Sequence, residues 1–413
     1  MIPQTTTSPL QEITVDYNRG TEYLNKGNWK KAMPLFLRCL KVMRFKEALI
    51  NLGNCYKSAG EYSKMIACYK EAVDPDTNTL DADVQKLTVQ ALTNLGLAYF
   101  SYGDEHAAIQ YLTKAIKLDD KAWSAWWNLS ITNLRLASSG ELDRFARGWE
   151  MYDSRFLKEP AIKLKNNKEN LVYWDGITPG KSIIVLAEQG IGDNIMWGRY
   201  LPELAKKFDK VYIQCDPSLN PIFDDYECVT DAVFSSASLA YPICSLAKCF
   251  NNGIPVAGDW LNGKFGTRSF PEDKFNVGIV WAGSDAHVNN ANRSVSIGRF
   301  SRLSKYCNLY SLSPGFSSTK YVKSLGIKTW TDTAECINGL DLVIGVDTSV
   351  MHLCGSLGRP GWLLQPRFET DFRWGKGSRS VWYDSIEVFQ NNGWEEVFDN
   401  VESSLKERLY EKC

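Results

Sequence analysis

Leu340-Asp341-Leu342-Val343-Ile344-Gly345-Val346-Asp347-Thr348-Ser349-Val350-Met351-His352-Leu353-Cys354-Gly355-Ser356-Leu357-Gly358-Arg359-Pro360 decides the fold of the C-terminal part of this chain. The apolar run up to Val346 reads as a strand of a parallel sheet. Asp347, Thr348 and Ser349 are helix N-cap types, and Val350, Leu353 and Leu357 then recur at helical spacing. A strand that hands polar residues to a helix start makes a place for phosphate, because free backbone N–H groups and the helix dipole favour an anion there. In open α/β sheets ligands collect beyond the carboxyl ends of strands. The same residues also cap ordinary helices, so this element alone leaves both readings open.

A second stretch has the same design about 150 residues earlier: Ile183-Ile184-Val185-Leu186-Ala187-Glu188-Gln189-Gly190-Ile191-Gly192-Asp193-Asn194. Asp193 or Asn194 is placed to begin a helix that carries Ile195, Met196, Tyr200, Leu201 and Leu204 on one face. Gly190 and Gly192 let the backbone turn tightly and let a substrate approach it. Two strand-to-helix junctions, each with an aspartate, suit one site in a cleft between two α/β lobes.

The 413 residues, 44% hydrophobic and 23% charged, are enough for two or three domains with large cores. The net charge of −1, from 47 basic and 48 acidic side chains, gives no support to a nucleic-acid or anionic-membrane surface. The 11 cysteines include no Cys-x-x-Cys pair, and Cys39, Cys55, Cys68 and Cys354 sit in apolar helical patterns where a reduced thiol is expected. No long apolar run and no leader pattern occur, so the expectation is a cytoplasmic protein without a transmembrane segment.

The first third is repetitive. Gly20, Gly53 and Gly96 each stand near a tyrosine, Tyr23, Tyr56 and Tyr99, and are followed by alanines such as Ala32, Ala72 and Ala108. The intervals of 33 and 43 residues, with Ser130 continuing the series, are close to the roughly 34-residue tetratricopeptide period. The longer interval implies an insertion near Asp74-Pro75-Asp76-Thr77-Asn78, which has turn chemistry. Three repeats and a divergent fourth over 126–156 are expected, the fourth ending in Gly148-Trp149-Glu150-Met151-Tyr152. Trp123, Trp126 and Trp127 read as packing between repeats, with a ligand platform as the other reading.

Beyond the repeats, short pieces occur in a telling order: Trp174-Asp175-Gly176, Glu188-Gln189-Gly190-Ile191-Gly192-Asp193, Arg199-Tyr200-Leu201-Pro202, Val280-Trp281-Ala282-Gly283 and Arg293-Ser294. They continue with Asp332-Thr333-Ala334, Val346-Asp347-Thr348 with His352, Phe372-Arg373-Trp374, and Trp382-Tyr383. Over 171–411 this set resembles the lipopolysaccharide heptosyltransferases of glycosyltransferase family nine, and more closely their relatives with N-terminal tetratricopeptide repeats. The resemblance implies an α + α/β chain: an N-terminal tetratricopeptide α-solenoid followed by a GT-B-type pair of Rossmann-like lobes. The expected division is a repeat domain at 1–158, a linker at 159–180, a shortened acceptor-side lobe at 181–270, and a nucleotide-sugar lobe at 271–413 with a C-terminal helix. Strands are predicted at 182–187, 210–215, 276–281, 309–312 and 362–364, and helices at 194–208, 297–306, 319–324, 333–340 and 394–409. By resemblance the last helix returns toward the first lobe.

By the same resemblance Asp193 is the catalytic base that takes the acceptor hydroxyl's proton, with a helix cap as its alternative role. Gly190, Gly192, Trp281, Gly283, Ser284, Arg293, Asp347, Thr348, Ser349 and His352 are the donor-binding candidates. Arg293 suits a diphosphate because guanidinium meets phosphate in a bidentate fork. His352 reads either as a phosphate contact or as a packed, hydrogen-bonded histidine. No metal cluster is expected. Asp81-Ala82-Asp83 has the form of a metal-diphosphate clamp but falls in a solvated inter-repeat loop. The implied activity is an inverting, metal-independent glycosyl transfer that requires no cofactor. Its donor is an ADP-, GDP- or UDP-linked sugar, its acceptor a glycan or protein, and a protein partner is expected on the repeats. The alternatives are a protein O-glycosyltransferase resembling the O-linked N-acetylglucosamine transferases, and a non-catalytic scaffold.

Overall fold

The computed structural model describes residues 9–81, 83–158, 172–229, 239–256, 258–287 and 289–410, and the chain divides into two compact units, Met1–Thr132 and Asn133–Cys413. The first unit is built from α1 (Pro9–Asn25), α2 (Trp29–Val42), α3 (Lys46–Ser58), α4 (Tyr62–Val73), α5 (Val84–Tyr102), α6 (Glu105–Leu118) and the start of α7 (Trp123–Ser138). Side chains start several of these helices: Asn28, Asp83 and Asp104 accept from the backbone N–H groups of Lys31, Lys86 and Ala107.

Successive helices pack as hairpins because a glycine on one faces a large residue on the next. A Cβ on Gly20 would lie 2.9 Å from the Phe36 ring, on Gly53 2.4 Å from Tyr69, and on Gly96 2.5 Å from Leu112. The repeat period read from the sequence is therefore the period of these helix crossings. The longer middle interval is a loop after α4, held by two buried charged residues at the start of α3. Lys46 Nζ donates to the carbonyls of Ala72 and Asp74 at 2.8 and 2.6 Å, and Glu47 Oε1 accepts from Thr79 Oγ1 and the N–H groups of Leu80 and Asp81. Asp83 caps α5 and its own N–H donates to Asp81, so the Asp-x-Asp pair is turn structure. Trp123, Trp126 and Trp127 on α7 are half-buried.

The second unit opens with the end of α7, α8 (Arg144–Tyr152) and α9 (Arg155–Lys158). Two parallel sheets follow. The first lobe has strand order β1-β5-β2-β3-β4, with β1 (Val172–Tyr173), β2 (Gly180–Leu186), β3 (Phe208–Gln214), β4 (Glu227–Cys228) and β5 (Leu239–Pro242). The second has order β11-β10-β9-β6-β7-β8, with β6 (Asn276–Val280), β7 (Asn308–Ser311), β8 (Val322–Ser324), β9 (Leu342–Val346), β10 (Gly361–Gln365) and β11 (Ile386–Gln390). Central strands β6, β9 and β10 are buried along their whole length, as a sheet covered on both faces requires. The fold is α + α/β, a helical repeat domain followed by two Rossmann-like lobes, each built on a parallel sheet.

Several expectations change in detail. The helix foreseen at 194–208 begins three residues earlier as α10 (Ile191–Trp197) and breaks into a 3₁₀ turn and the short α11 (Leu201–Ala205), because Pro202 starts a new helix rather than continuing the old one. Phe208 begins β3 instead. The helix expected at 319–324 is the strand β8, where Tyr321-Val322 has β-type residues and Val322 pairs with Leu309. β11, unforeseen, closes the second sheet. Val172 and Tyr173, inside the expected linker, pair in parallel with Leu239 and Ala240; 159–171 lie outside the described residues.

The C-terminal helix, α14 (Trp394–Tyr410), stays on the second lobe. Val397, Phe398, Val401 and Leu405 join its core, and Arg302 pairs with Glu395, Asp399 and Glu402. Two further second-lobe helices, α12 (Trp330–Gly339) and α13 (Ser349–Ser356), follow β8 and β9.

The segment 144–158, expected to end the repeat domain, belongs to the second unit. Trp149 explains why. Its ring meets Trp197 of α10 at 5.2 Å and Trp382 of the second lobe at 6.4 Å, both edge to face. Trp197 meets Trp382 at 5.2 Å, and none of the three is more than 1% exposed. Trp149 Nε1 donates to the carbonyl of Gly253, where a Cβ would lie 2.0 Å from the indole.

Gly53→Ala tests the repeat packing. Tyr69 is buried and its hydroxyl donates to Asn54 at 2.7 Å, so the ring has little freedom to yield. The helix propensity gained, roughly 0.5–1 kcal/mol, offsets part of the clash, and a net loss of about 1–2 kcal/mol is expected. Urea denaturation of the full chain followed by helical circular dichroism reads it; an unchanged midpoint removes Gly53 as the closure point.

Candidate active site between the two lobes

Both junctions lie at carboxyl ends of strands, β2 and β9, within the second unit. Gly190 is the N-cap of α10 and Asp193 is its third residue. The Gly190 N–H donates to Asp193 Oδ2 at 2.9 Å, and the Asn194 amide donates to the Gly190 carbonyl at 2.9 Å. Asp193 thus does some capping work, from inside the helix rather than before it. Gln189, just ahead, has φ 61°, a left-handed conformation that a glutamine adopts at a cost. Its amide donates to Tyr152 Oη at 3.1 Å, and Glu188 beside it takes a bidentate pair from Arg155 at 2.7 and 3.1 Å. α8 and α9 therefore brace the loop that carries Asp193.

α10 and α13 meet across the lobes. A Cβ on Gly192 would lie 2.9 Å from His352 and 3.2 Å from the Ser349 Cα, so glycine permits the approach. The cross-lobe contact includes charge: Arg373, in the turn after β10, donates from Nη2 to Asp193 Oδ1 and, at 3.3 Å, to Gln189 Oε1. Its Nη1 donates to Asp371 at 2.6 Å.

On the second lobe Arg293 lies flat against Gly283, where a Cβ would be 2.3 Å from Nη2, and its Nη1 is 3.7 Å from Asp347 Oδ2. Asp347 Oδ1 accepts from Trp374 Nε1 at 2.9 Å. A cavity of about 560 Å³ opens beside them, with Gly283, Ser284, Thr348 and Ser349 in its wall; Lys328, Thr329 and Trp330 line it from the start of α12, and Pro217, Ser218 and Pro221 from the first lobe. Two helix starts, those of α12 and α13, thus border one space. Thr348 occupies the α13 N-cap, makes no side-chain cap bond, and its buried Oγ1 has no partner.

The carboxyl groups respond to burial and to each other. Burial raises the Asp193 carboxyl above its usual value against the pull of Arg373. Burial, then the neighbouring Asp371, pushes Asp347 up to about 6. Burial opposes ionisation of Asp371 too, but Arg373 more than offsets it and holds that carboxyl below the usual range. Burial and Arg373 push His352 down to about 3, leaving it neutral.

Of the residues singled out from sequence, Gly283, Ser284, Thr348 and Ser349 line the cavity; Arg293 and Asp347 pair beside Gly283; Gly190, Gly192 and Asp193 face them from the other lobe. His352 is packed, stacked on Trp374 at 4.7 Å with Nδ1 3.0 Å from Tyr383 Oη. Trp281 packs on Phe316 at 5.2 Å and is not among the described residues lining the cavity. Arg373, Asp371, Gln189 and Trp330 also take part in the site, beyond the residues the sequence singles out. Phe372-Arg373-Trp374 was one of the ordered pieces, which was the available signal for Arg373.

Residues 44–121 match the family model "Tetratricopeptide repeat". The matched residues lie within the N-terminal unit, which is built of helical hairpins of that kind. A curated relative, protein FlbA of Caulobacter vibrioides, is 23% identical over 333 residues, 64% of this chain, and the chain spans about half, 53%, of that protein's length. Among solved structures, a Thermobaculum terrenum O-GlcNAc transferase mutant is 13% identical with TM-score 0.36, over 98% of this chain and 94% of that one. E. coli ADP-heptose lipopolysaccharide heptosyltransferase II is 10% identical with TM-score 0.40, over 56% and 100%. Likenesses of this size carry no site or activity across. No helix among the described residues is long and apolar enough to cross a membrane.

The raised Asp347 carboxyl gives a pH dependence. The folded chain keeps its proton up to about pH 6, whereas an unfolded aspartate loses it near about 4, so raising the pH between these values favours unfolding. Asparagine at 347 has no proton to lose. The melting temperature of the unsubstituted protein is therefore expected to fall relative to Asp347→Asn as pH rises from about 4 to 6. Parallel melting curves across that range place Asp347 in an ordinary exposed setting instead.

Proposed function

We propose that the second unit is a glycosyltransferase that moves a sugar from a nucleotide-diphosphate donor to a glycan or protein hydroxyl with inversion, without a metal ion. The observation that carries this reading is a cavity between the lobes bordered by two helix starts, with Arg293 packed on Gly283 of its wall and Asp193 on the helix whose Gly192 touches Ser349 of that wall. A cavity of about 560 Å³ is within the range of small-ligand sites.

The chemistry follows from these groups. A departing nucleoside diphosphate gathers negative charge, which the α13 N-terminus, the unpartnered Thr348 hydroxyl and Arg293 are arranged to meet. Asp347, beside Arg293, is suited to accept hydrogen bonds from donor-sugar hydroxyls. Asp193, on the opposite lobe, takes the proton of the attacking hydroxyl; one carboxylate is enough for a single displacement. Trp330, Pro217 and Pro221 give the cavity apolar surface for a nucleobase, and ADP-, GDP- and UDP-sugars are the donor classes. A thermal-shift screen with ADP-, GDP-, UDP- and CMP-sugars identifies the donor, since a ligand bound only by the folded chain raises its melting temperature. No response to any of them counts against the reading.

The repeats at 44–121 favour a protein as acceptor or partner, because stacked repeats present a concave surface to peptides. Transfer to peptides rather than to a glycan array decides for the protein O-glycosyltransferase alternative. Donor turnover of any kind rules out the non-catalytic scaffold. The described cysteines are all unpaired, in keeping with a reducing, cytoplasmic setting.

Two substitutions separate binding from chemistry. Arg293→Ala is expected to weaken nucleoside diphosphate binding by about 1–3 kcal/mol, the worth of hydrogen bonds to a charged group. Titration calorimetry measures it, and unchanged affinity takes Arg293 out of the site. Asp193→Asn keeps the size of the side chain and an oxygen for the Gly190 N–H but cannot take a proton, so turnover should drop about 10²–10⁴-fold with donor affinity nearly unchanged. Near-normal turnover with a small stability loss would falsify the base assignment and leave Asp193 as a cap.

A further inference from the structure

The turn Asp371-Phe372-Arg373-Trp374 carries a buried guanidinium that its own loop already neutralises. Asp371 accepts from the Arg373 backbone N–H at 2.9 Å and from Nη1 at 2.6 Å, which satisfies the turn and the charge together. Asp193 likewise has its local bond, from the Gly190 N–H. Neither turn nor helix needs the other, yet Nη2 reaches across the lobes to Asp193 Oδ1 and to Gln189 Oε1, and Arg373 is only 6% exposed. A cation held between two carboxylates from different lobes is more than either lobe requires for its own fold.

We propose that Arg373 is the positioning residue for Asp193. It fixes the orientation of the carboxylate and keeps it ionised when the lobes are together. This rests on the reading of Asp193 as the base. With Oδ2 tied to its own helix and Oδ1 to the facing lobe, the carboxylate plane is set from both ends. Each oxygen retains a lone pair for an incoming hydroxyl. Because the partner sits on the second lobe, a base on the first lobe is ready only where the donor-side wall is also in place.

The groups that face Asp193 are Arg373 and Asp371 from the turn after β10, His287 from the loop after β6, and Cys244 after β5. Burial keeps His287 and Cys244 uncharged at neutral pH. Burial raises the Asp193 carboxyl, and among the charged groups that face it the Arg373–Asp371 pair acts most, its members with opposite sign.

That opposition supplies the test. The probe is the carboxyl ¹³C resonance of Asp193 in the full chain labelled at aspartate, assigned by its loss in Asp193→Asn and titrated with acid. Arg373→Gln is expected to raise the Asp193 midpoint by about one pH unit or more, as loss of an adjacent cation does. Arg373→Lys should return most of that rise. Asp371→Asn should lower the midpoint, because it removes a like charge and leaves the guanidinium to Asp193 alone. Loosening of the turn moves both midpoints in one direction, so opposite displacements support the proposal, and displacements of one sign, or none, overturn it. If Arg373→Gln does not fold, Arg373→Met, which also removes the cation, takes its place against Asp371→Asn. Opposed responses with full turnover in Asp193→Asn leave the ion pair real but no base to position, and the proposal falls with the base assignment. Absent responses with Asp193→Asn inactive leave the base assignment standing and remove Arg373 from it.

Discussion

Trp149, Trp197 and Trp382 meet edge to face at the centre of the second unit, and the geometry of the site depends on that contact. Each ring comes from a different part of the chain: the helix before the first sheet, the helix that carries Asp193, and the segment before β11. Edge-to-face pairs add about 0.5–1.5 kcal/mol each beyond the area they bury, but orientation matters more here than energy. Indoles locked on three sides fix α10, which carries Asp193, against α8 and the segment before β11. Arg199, buried beside them, ties the arrangement further by donating to the Trp382 carbonyl at 2.6 Å.

Around that hub the site is a balance of charges in a largely buried place. Asp193, Asp347 and Asp371 are carboxyl groups that burial pushes toward protonation, and Arg293 and Arg373 are the cations that resist it. The balance is uneven. Arg373 holds Asp371 below the usual carboxylate range, whereas Asp347, with Arg293 at 3.7 Å and Asp371 nearby, is pushed up to about 6. Two carboxyl groups in one cleft thus differ in the pH at which they ionise, which lets one fold assign them different tasks.

Much of this was legible in the residues, and the misses have physical causes. The repeat glycines were readable because steric closure at Gly20, Gly53 and Gly96 leaves a strict period in the chain. The two strand-to-helix junctions were readable because a buried parallel strand is apolar at every position and its helix starts on capping residues. The start of α10 was misplaced because its N-cap is Gly190, which offers no side chain to recognise. β8 and β1 are two or three residues long, too short to show any period. Arg373 was visible as part of a motif but not as a partner of Asp193, since pairing across 180 residues is a fact of three dimensions. Local sequence allows two readings of His352, because the stacking on Trp374 that makes it a packed residue comes from another loop.

The bracing of the Asp193 loop by α8 and α9 bears on how such a chain can be rearranged. Arg155 grips Glu188, Tyr152 holds Gln189, and Trp149 sits in the indole hub, so the last helices in the series of repeats are working parts of the second unit. Recombination that exchanges one array of repeats for another must therefore cross over upstream of Asn133 if the second unit is to keep its own supports. The seam between the modules lies within a continuous helix, α7, and lineages that lengthen or shorten the array are expected to vary before that seam while 144–158 travels with the sheets it braces.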